Sequence, residues 1–406
     1  MPNNVNTSSG GSTDPGGKLN RRQLFRRSFF VGGALFTGVD KLPWRPFFQP
    51  PHNQRLEGGQ LLGTIPFTGE APVPMENAFG AELDGRLYTN LSALNAQVPV
   101  IPADKFYIRT RASQLMETQK TWQVRLGGHT AGPPLLTMEG LKGMAKPMGV
   151  HLMECAGNVR SVHFGMISVA DWTGTSLIDI LERVKVNPKA NRVLISGFDT
   201  YATKSASSVP GASWVFAKEE LQNTGAFLAT EMNGSPLTID HGAPVRLMVP
   251  GWYGCACIKW VNEIACTRDA VEATSQMQEY AARTMQSGMP KLAREYKPAI
   301  IEQAAMPIRI EKWVQGEKTR YRVIGILWGG SALVKKLQIR FNPEEDYMDV
   351  HQLEQTSNDP WSFWSHVWEP KQPGSYLIRL RIAEPAVVAR RLDAGYYMRS
   401  VDISEV

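Results

Sequence analysis

His151-Leu152-Met153-Glu154-Cys155-Ala156-Gly157-Asn158-Val159-Arg160-Ser161 is the stretch on which the reading of this 406-residue chain turns. An apolar run ends at Cys155, and the Ala-Gly-Asn that follows favours a tight turn over a packed strand. Arg160, a few residues on, brings positive charge that favours a thiolate. A soft thiolate suits a redox transition metal. Taken singly, a cysteine is more often a small buried hydrophobe, so the case rests on what surrounds it.

A second stretch runs from Glu231-Met232-Asn233-Gly234 through Asp240-His241-Gly242-Ala243-Pro244-Val245-Arg246 to Val249-Pro250-Gly251, and closes with Cys257-Ile258-Lys259-Trp260. Shorter pieces are Lys105-Phe106-Tyr107-Ile108-Arg109, Gly197-Phe198-Asp199 and Gly211-Ala212-Ser213. In order and spacing these residues resemble the sulfite oxidase family of molybdenum-cofactor (molybdopterin) oxidoreductases, in a bacterial exported form. Cys-Ala-Gly-Asn is a hallmark of that family's metal-ligand loop. The resemblance covers roughly residues 75–290 well and the remainder loosely.

The resemblance implies the following roles. Cys155 binds molybdenum beside the two sulfurs of the pterin dithiolene. Tyr107, Arg109 and Arg111 form a first cofactor-contacting loop, with Arg109 also facing the substrate anion. Asp199 and Ser213 line the pterin, while His241, Arg246, Cys257 and Lys259 approach it or its phosphate. Arg160 and Trp172 border the substrate pocket, Tyr280 is the active-site tyrosine, and Arg399 is an arginine supplied by the second domain. The implied reaction is oxidation of sulfite to sulfate by oxygen-atom transfer. The cofactor carries the redox step and the protein positions a small oxyanion. Guanidinium forks at Arg109 and Arg160 match such an anion in charge and shape.

Two positions depart from the family. Val159 stands where animal members carry another basic residue, and Cys257 where a histidine is common. Cys-x-x-Cys-His is absent, so electrons are expected to pass to an external acceptor such as a c-type cytochrome. Alternatives of the same family are a sulfane-sulfur dehydrogenase and a sulfoxide-type reductase. From another class comes a non-catalytic cofactor-binding subunit of a cytochrome complex. Cys255, Cys257 and Cys266 near His241 raise a zinc site, but Cys-x-Cys without Cys-x-x-Cys is a poor zinc signature. These three thiols are either free or partly paired in a disulfide.

The chain is too long for one ordinary core. Its expected class is α+β, a mixed α/β sulfite-oxidase-type domain followed by an antiparallel, immunoglobulin-like β-sandwich that resembles the family's dimerisation domain. A homodimer is expected. Residues 1–45 read as a disordered start and a twin-arginine export signal, 46–290 as the catalytic domain and 291–406 as the sandwich. Arg26-Arg27 leads into the short apolar stretch Val31-Gly32-Gly33-Ala34-Leu35-Phe36, which predicts a periplasmic location. Left uncleaved, that signal could anchor the protein, although no stretch is long enough for an ordinary membrane span. Strands are predicted at 106–109, 122–126, 193–196, 245–249, 321–328, 337–341 and 376–382, and a helix at 177–184 with a cap-rich start in Trp172–Ser176.

A formal net charge of +6 fits a field that draws in a small anion. No basic tract interleaved with aromatics points to nucleic acid. Four cysteines are too few for a disulfide scaffold. Eleven tryptophans predict buried indoles with partners for their N–H groups.

Overall fold

The strand Lys146–Glu154 carries the chain to Cys155 at its end. The computed structural model describes residues 56, 58–70, 85–110, 121–198, 212–353, 355, 357 and 359–406. The expected export signal, Arg111 and Asp199 lie outside the described residues. From Arg55 on, the chain forms one unit.

Lys146–Glu154 pairs antiparallel with Ile167–Ser176, which pairs with Phe227–Met232. Arg246–Met248 and Ser235–Pro236 complete this five-stranded sheet along Phe227–Met232. A second five-stranded sheet runs in the order Leu135–Thr137, Gln123–Gly128, Val261–Thr267, Arg192–Gly197, Ser213–Ala217. Its pairing of Val261–Thr267 with Gln123–Gly128 is parallel. Helices are short. Leu177–Arg183 buries Leu177, Ile180 and Leu181 at helical spacing, with the Ser176 hydroxyl accepting from the Asp179 N–H at 3.3 Å. Of the expected cap-rich start, only Ser176 caps. Trp172 to Thr175 belong to the preceding strand.

The C-terminal strands form the antiparallel sandwich. One sheet has the order Gln60–Ile65, Ala304–Gln315, Lys318–Trp328, Ser362–Trp368, Gln352–Leu353, and the other Met348–Asp349, Leu337–Arg340, Gly374–Ile382, Arg399–Ile403. Gln60–Ile65, expected with the catalytic domain, instead pairs with Ala304–Gln315. Backbone hydrogen bonding across distant sequence placed it there, which local composition does not report. Tyr321 to Trp328 are buried at every position, because this central strand is covered on both faces.

Two contacts tie the sandwich to the Cys155 strand. The Trp328 indole N–H donates to Glu154 Oε2 at 2.9 Å. Asp359 accepts from the Leu152 N–H at 2.6 Å and pairs with His151 Nδ1 at 2.7 Å. Most buried indoles find such partners, as Trp260 does at Ile239 O and Trp364 at Ile326 O. Among the described residues, no helix is long and apolar enough to cross a membrane.

Candidate active site

The turn at Cys155 is closed by its own residues. Asn158 N–H donates to Cys155 O at 2.9 Å and Gly157 N–H points at Cys155 Sγ at 3.4 Å. The Asn158 side chain reaches Glu154 Oε1 at 3.3 Å and accepts from the Met166 N–H at 3.0 Å. The asparagine therefore clamps the loop while the glycine amide faces the sulfur. Burial pushes the Glu154 carboxyl above the usual carboxylate range.

Cys155 lines a cleft that opens to solvent. Facing it are Tyr107 and, in the short strand Ile108–Thr110 that follows, Arg109; His241 from a loop and Arg246 at the start of the strand Arg246–Met248; Cys257 and Lys259 from another loop; and Tyr280 from the helix Ser275–Tyr280. The first loop is held by the Tyr107 N–H on Ser168 Oγ at 3.0 Å, with Thr89 Oγ1 at 2.5 Å from the same oxygen. Gly254 makes room for the Tyr107 phenol, since a Cβ there would stand 2.9 Å from its oxygen. Burial holds that phenol neutral, with a pKa well above the ordinary value.

Arg246 is 2% exposed. Its Nη1 donates to His241 O at 2.9 Å, its Nη2 to Cys257 O at 3.2 Å and to Met153 Sδ at 3.2 Å. Trp172 lies behind it, with the guanidinium carbon 5.7 Å from the ring centroid. Among the described residues the buried Nε has no partner. A buried donor left unmet in a cleft wall calls for a polar ligand. Lys259 Nζ donates to Asp240 O at 2.6 Å and Arg109 O at 2.9 Å. His241 Nε2 sits 3.2 Å from Phe106 O and its Nδ1 2.7 Å from Thr238 Oγ1. Nε2 therefore carries the proton and Nδ1 accepts. Burial, aided by Lys259, lowers the His241 pKa to about 3, so the imidazole is neutral at working pH.

At the cleft mouth the Arg109 guanidinium donates to the Tyr280 hydroxyl. Burial raises the Tyr280 pKa against the pull of Arg109, so the phenol keeps its proton. Arg109, Arg246 and Lys259 face two carboxylates, Asp240 and Glu279, and the lining is net positive.

The structure thus brings together Tyr107, Arg109, Cys155, His241, Arg246, Cys257, Lys259 and Tyr280. Four other expected residues fall outside the lining. Trp172 is fully buried behind Arg246. Ser213 is buried beside the cleft, its N–H on Gln276 Oε1 at 3.2 Å. The Arg160 side chain is exposed and donates to Met398 O. Arg399 is buried in an ion pair with Glu70 and over the Phe67 ring at 3.9 Å. Each is a polar or aromatic side chain whose direction depends on long-range packing. Sequence reasoning missed Met153, Cys255, Gln276 and Glu279 in the lining. Gln276 braces Cys255 O at 2.5 Å, and only its place in Ser275–Tyr280, beside Tyr280, hinted at it. Among the described residues no three His, Cys, Asp or Glu side chains gather as a metal cluster, and all four cysteines are free.

A thiol in a turn, Cys155, heading a cationic cleft that Cys255 and Cys257 also line, with a buried guanidinium donor unmet among the described residues, fits an anionic metal–pterin group and defines the class of a molybdopterin-binding oxidoreductase. A model of the oxidoreductase molybdopterin binding domain matches residues 112–275. Mitochondrial sulfite oxidase of Drosophila melanogaster is 25% identical over 390 residues, 90% of this chain and 62% of that protein. The Homo sapiens enzyme is 25% identical over 329 residues, 76% and 58%. Nitrate reductase [NADH] of Brassica napus is 29% identical over 231 residues, 51% and 22%. The chain spans less than two thirds of each of these relatives. The fold is that of the sulfane dehydrogenase SoxCD from Paracoccus pantotrophus, with a TM-score of 0.59 at 15% identity over 98% of this chain and 100% of that one. The chain thus carries an oxidoreductase molybdopterin binding domain and has sulfite oxidases among its homologues.

Proposed function

We propose that the protein oxidises sulfite to sulfate and passes the electrons to an external acceptor such as a c-type cytochrome. The observation that carries this reading is the Arg109–Tyr280 pair at the mouth of the cleft that Cys155 heads. Cys155 would ligate the molybdenum, and Arg246, Lys259, His241 and Tyr107 would hold the pterin and its phosphate. When bound, the cofactor supplies two-electron redox chemistry and the oxygen for transfer. Arg109 binds the anion and strips it of water, and the neutral Tyr280 hydroxyl offers a directed hydrogen bond without adding charge. The export signal read at 26–39 adds a periplasmic location, and the sandwich a homodimer.

Molybdenum analysis of protein made in a host that supplies the cofactor, with sulfite-dependent ferricyanide reduction, tests the reading. Near-stoichiometric molybdenum with turnover supports it. Molybdenum without sulfite turnover removes the substrate. A sulfane-sulfur substrate is the second reading, since the fold match to sulfane dehydrogenase spans nearly the whole chain. Turnover with a protein-bound persulfide and none with sulfite would select it.

A further inference from the structure

The oxyanion reading expects a second guanidinium beside Arg109, and Arg160, expected to supply it, is turned toward Met398 O. Another guanidinium, exposed and just outside the cleft lining, lies over the Tyr280 ring. Arg283 lies in the 3-10 turn Ala282–Thr284, directly after the helix Ser275–Tyr280. Thr284 Oγ1 donates back to Tyr280 O at 3.0 Å and Arg391 Nη2 donates to Arg283 O at 2.8 Å. These bonds fix the backbone of the turn.

The Arg283 guanidinium carbon stands 5.4 Å from the Tyr280 ring centroid, and that of Arg109 stands 5.9 Å from the same centroid. One phenol ring therefore carries two guanidinium groups. Among the described residues the Arg283 head has no hydrogen-bond or ion-pair partner, its bond to Arg391 being through its backbone oxygen. It is also close to the metal-ligand loop. A Cβ on Gly157 would meet Arg283 Nη1 at 3.1 Å and Cys155 Sγ at 3.8 Å. Gly157 does not have a left-handed φ, so the backbone does not demand glycine there. What it supplies is room for the guanidinium next to the cysteine.

We propose that Arg283 is a second substrate-binding arginine, seated in the space Gly157 leaves, which with Arg109 grips a small divalent oxyanion across Tyr280. The assignment rests on the oxyanion reading above. Two planar forks meeting one anion favour a multi-oxygen dianion over a neutral sulfoxide, because each added charge-assisted bond depends on the ligand's charge.

The test uses the molybdenum-loaded protein and two readouts, steady-state sulfite kinetics and calorimetric binding of inorganic sulfate. Arg283→Gln should raise the sulfite KM and the sulfate Kd together by roughly ten- to a hundredfold, the worth of a bond to a charged group, with kcat changed far less. Arg283→Lys should recover part of both. Gly157→Ala, which keeps the arginine but displaces its head, should raise KM in the same direction. Should Arg283→Gln leave KM and sulfate Kd unchanged while Arg109→Gln raises both, the Arg283 assignment is overturned and the function stands. A wild-type protein that neither turns over sulfite nor binds sulfate overturns both. An unchanged KM in Gly157→Ala overturns the role given to the glycine.

Discussion

Arg109 and Tyr280, 171 residues apart in sequence, meet at the cleft mouth, where the guanidinium donates to the phenol oxygen. The same guanidinium carbon lies 5.9 Å from the ring centroid. The arginine is thereby oriented before substrate arrives, and little side-chain freedom is left to lose on binding.

Tyr280→Phe removes the acceptor and keeps the ring. Losing one partner of a part-buried charged bond costs about 1–3 kcal/mol, so kcat/KM for sulfite should fall roughly ten- to a hundredfold. Thermal stability should change little. Unaltered kinetics would mean that the pair is not used by substrate.

Cys155→Ser should leave the fold intact, since the change is nearly isosteric and sits in a loop. Turnover should fall by orders of magnitude, because a hydroxyl is a poor substitute for a soft thiolate. Molybdenum content, melting temperature and sulfite turnover, measured on the same preparation, separate these effects. Near-normal turnover would remove Cys155 from the metal.

Trp328→Phe tests the link between sandwich and metal-ligand loop. The indole N–H is a direct donor to the buried Glu154 carboxyl, and its loss should destabilise the protein by about 1–3 kcal/mol. Denaturant unfolding reads this. A midpoint equal to that of the wild type would show that Asn158 alone satisfies Glu154.

His241 gives a pH dependence with a definite sign. Its folded pKa of about 3 lies below the ordinary 6.5, so the unfolded chain binds the extra proton first and stability falls as pH drops from about 6.5 toward 3. Above 6.5 the contribution is fully present. Melting temperatures of wild type and His241→Gln between pH 7 and 4 should converge as the pH falls. Parallel curves would deny His241 that role.

Several parts were legible in the chain itself. The helix at Leu177–Arg183 follows from apolar spacing and the Ser176 cap. Strands near 123, 193, 246, 321, 337 and 376 follow from alternation and bounding turns. The cleft residues Tyr107, Arg109, Cys155, His241, Arg246 and Lys259 were reached through the order and spacing of the motifs that resemble the family, and the structure sets all six around one cleft.

The directions of long side chains were not legible. Arg160 leaves the pocket for Met398 O, Arg399 is paired with Glu70, and Trp172 supports Arg246 from behind. In each case the partner lies far along the chain, between 74 and 329 residues away. An arginine's spacing in sequence carries no record of which carbonyl or carboxylate will reach it.

By itself, then, the sequence determined the thiol in its turn, the cationic loops and the two kinds of sheet, because local spacing and residue chemistry suffice for those. Only the tertiary structure decided that Gln60–Ile65 would join the C-terminal sheet and that Arg283 would stand beside Gly157. Both depend on hydrogen bonds and packing between distant segments, and those contacts exist only once the chain has closed on itself.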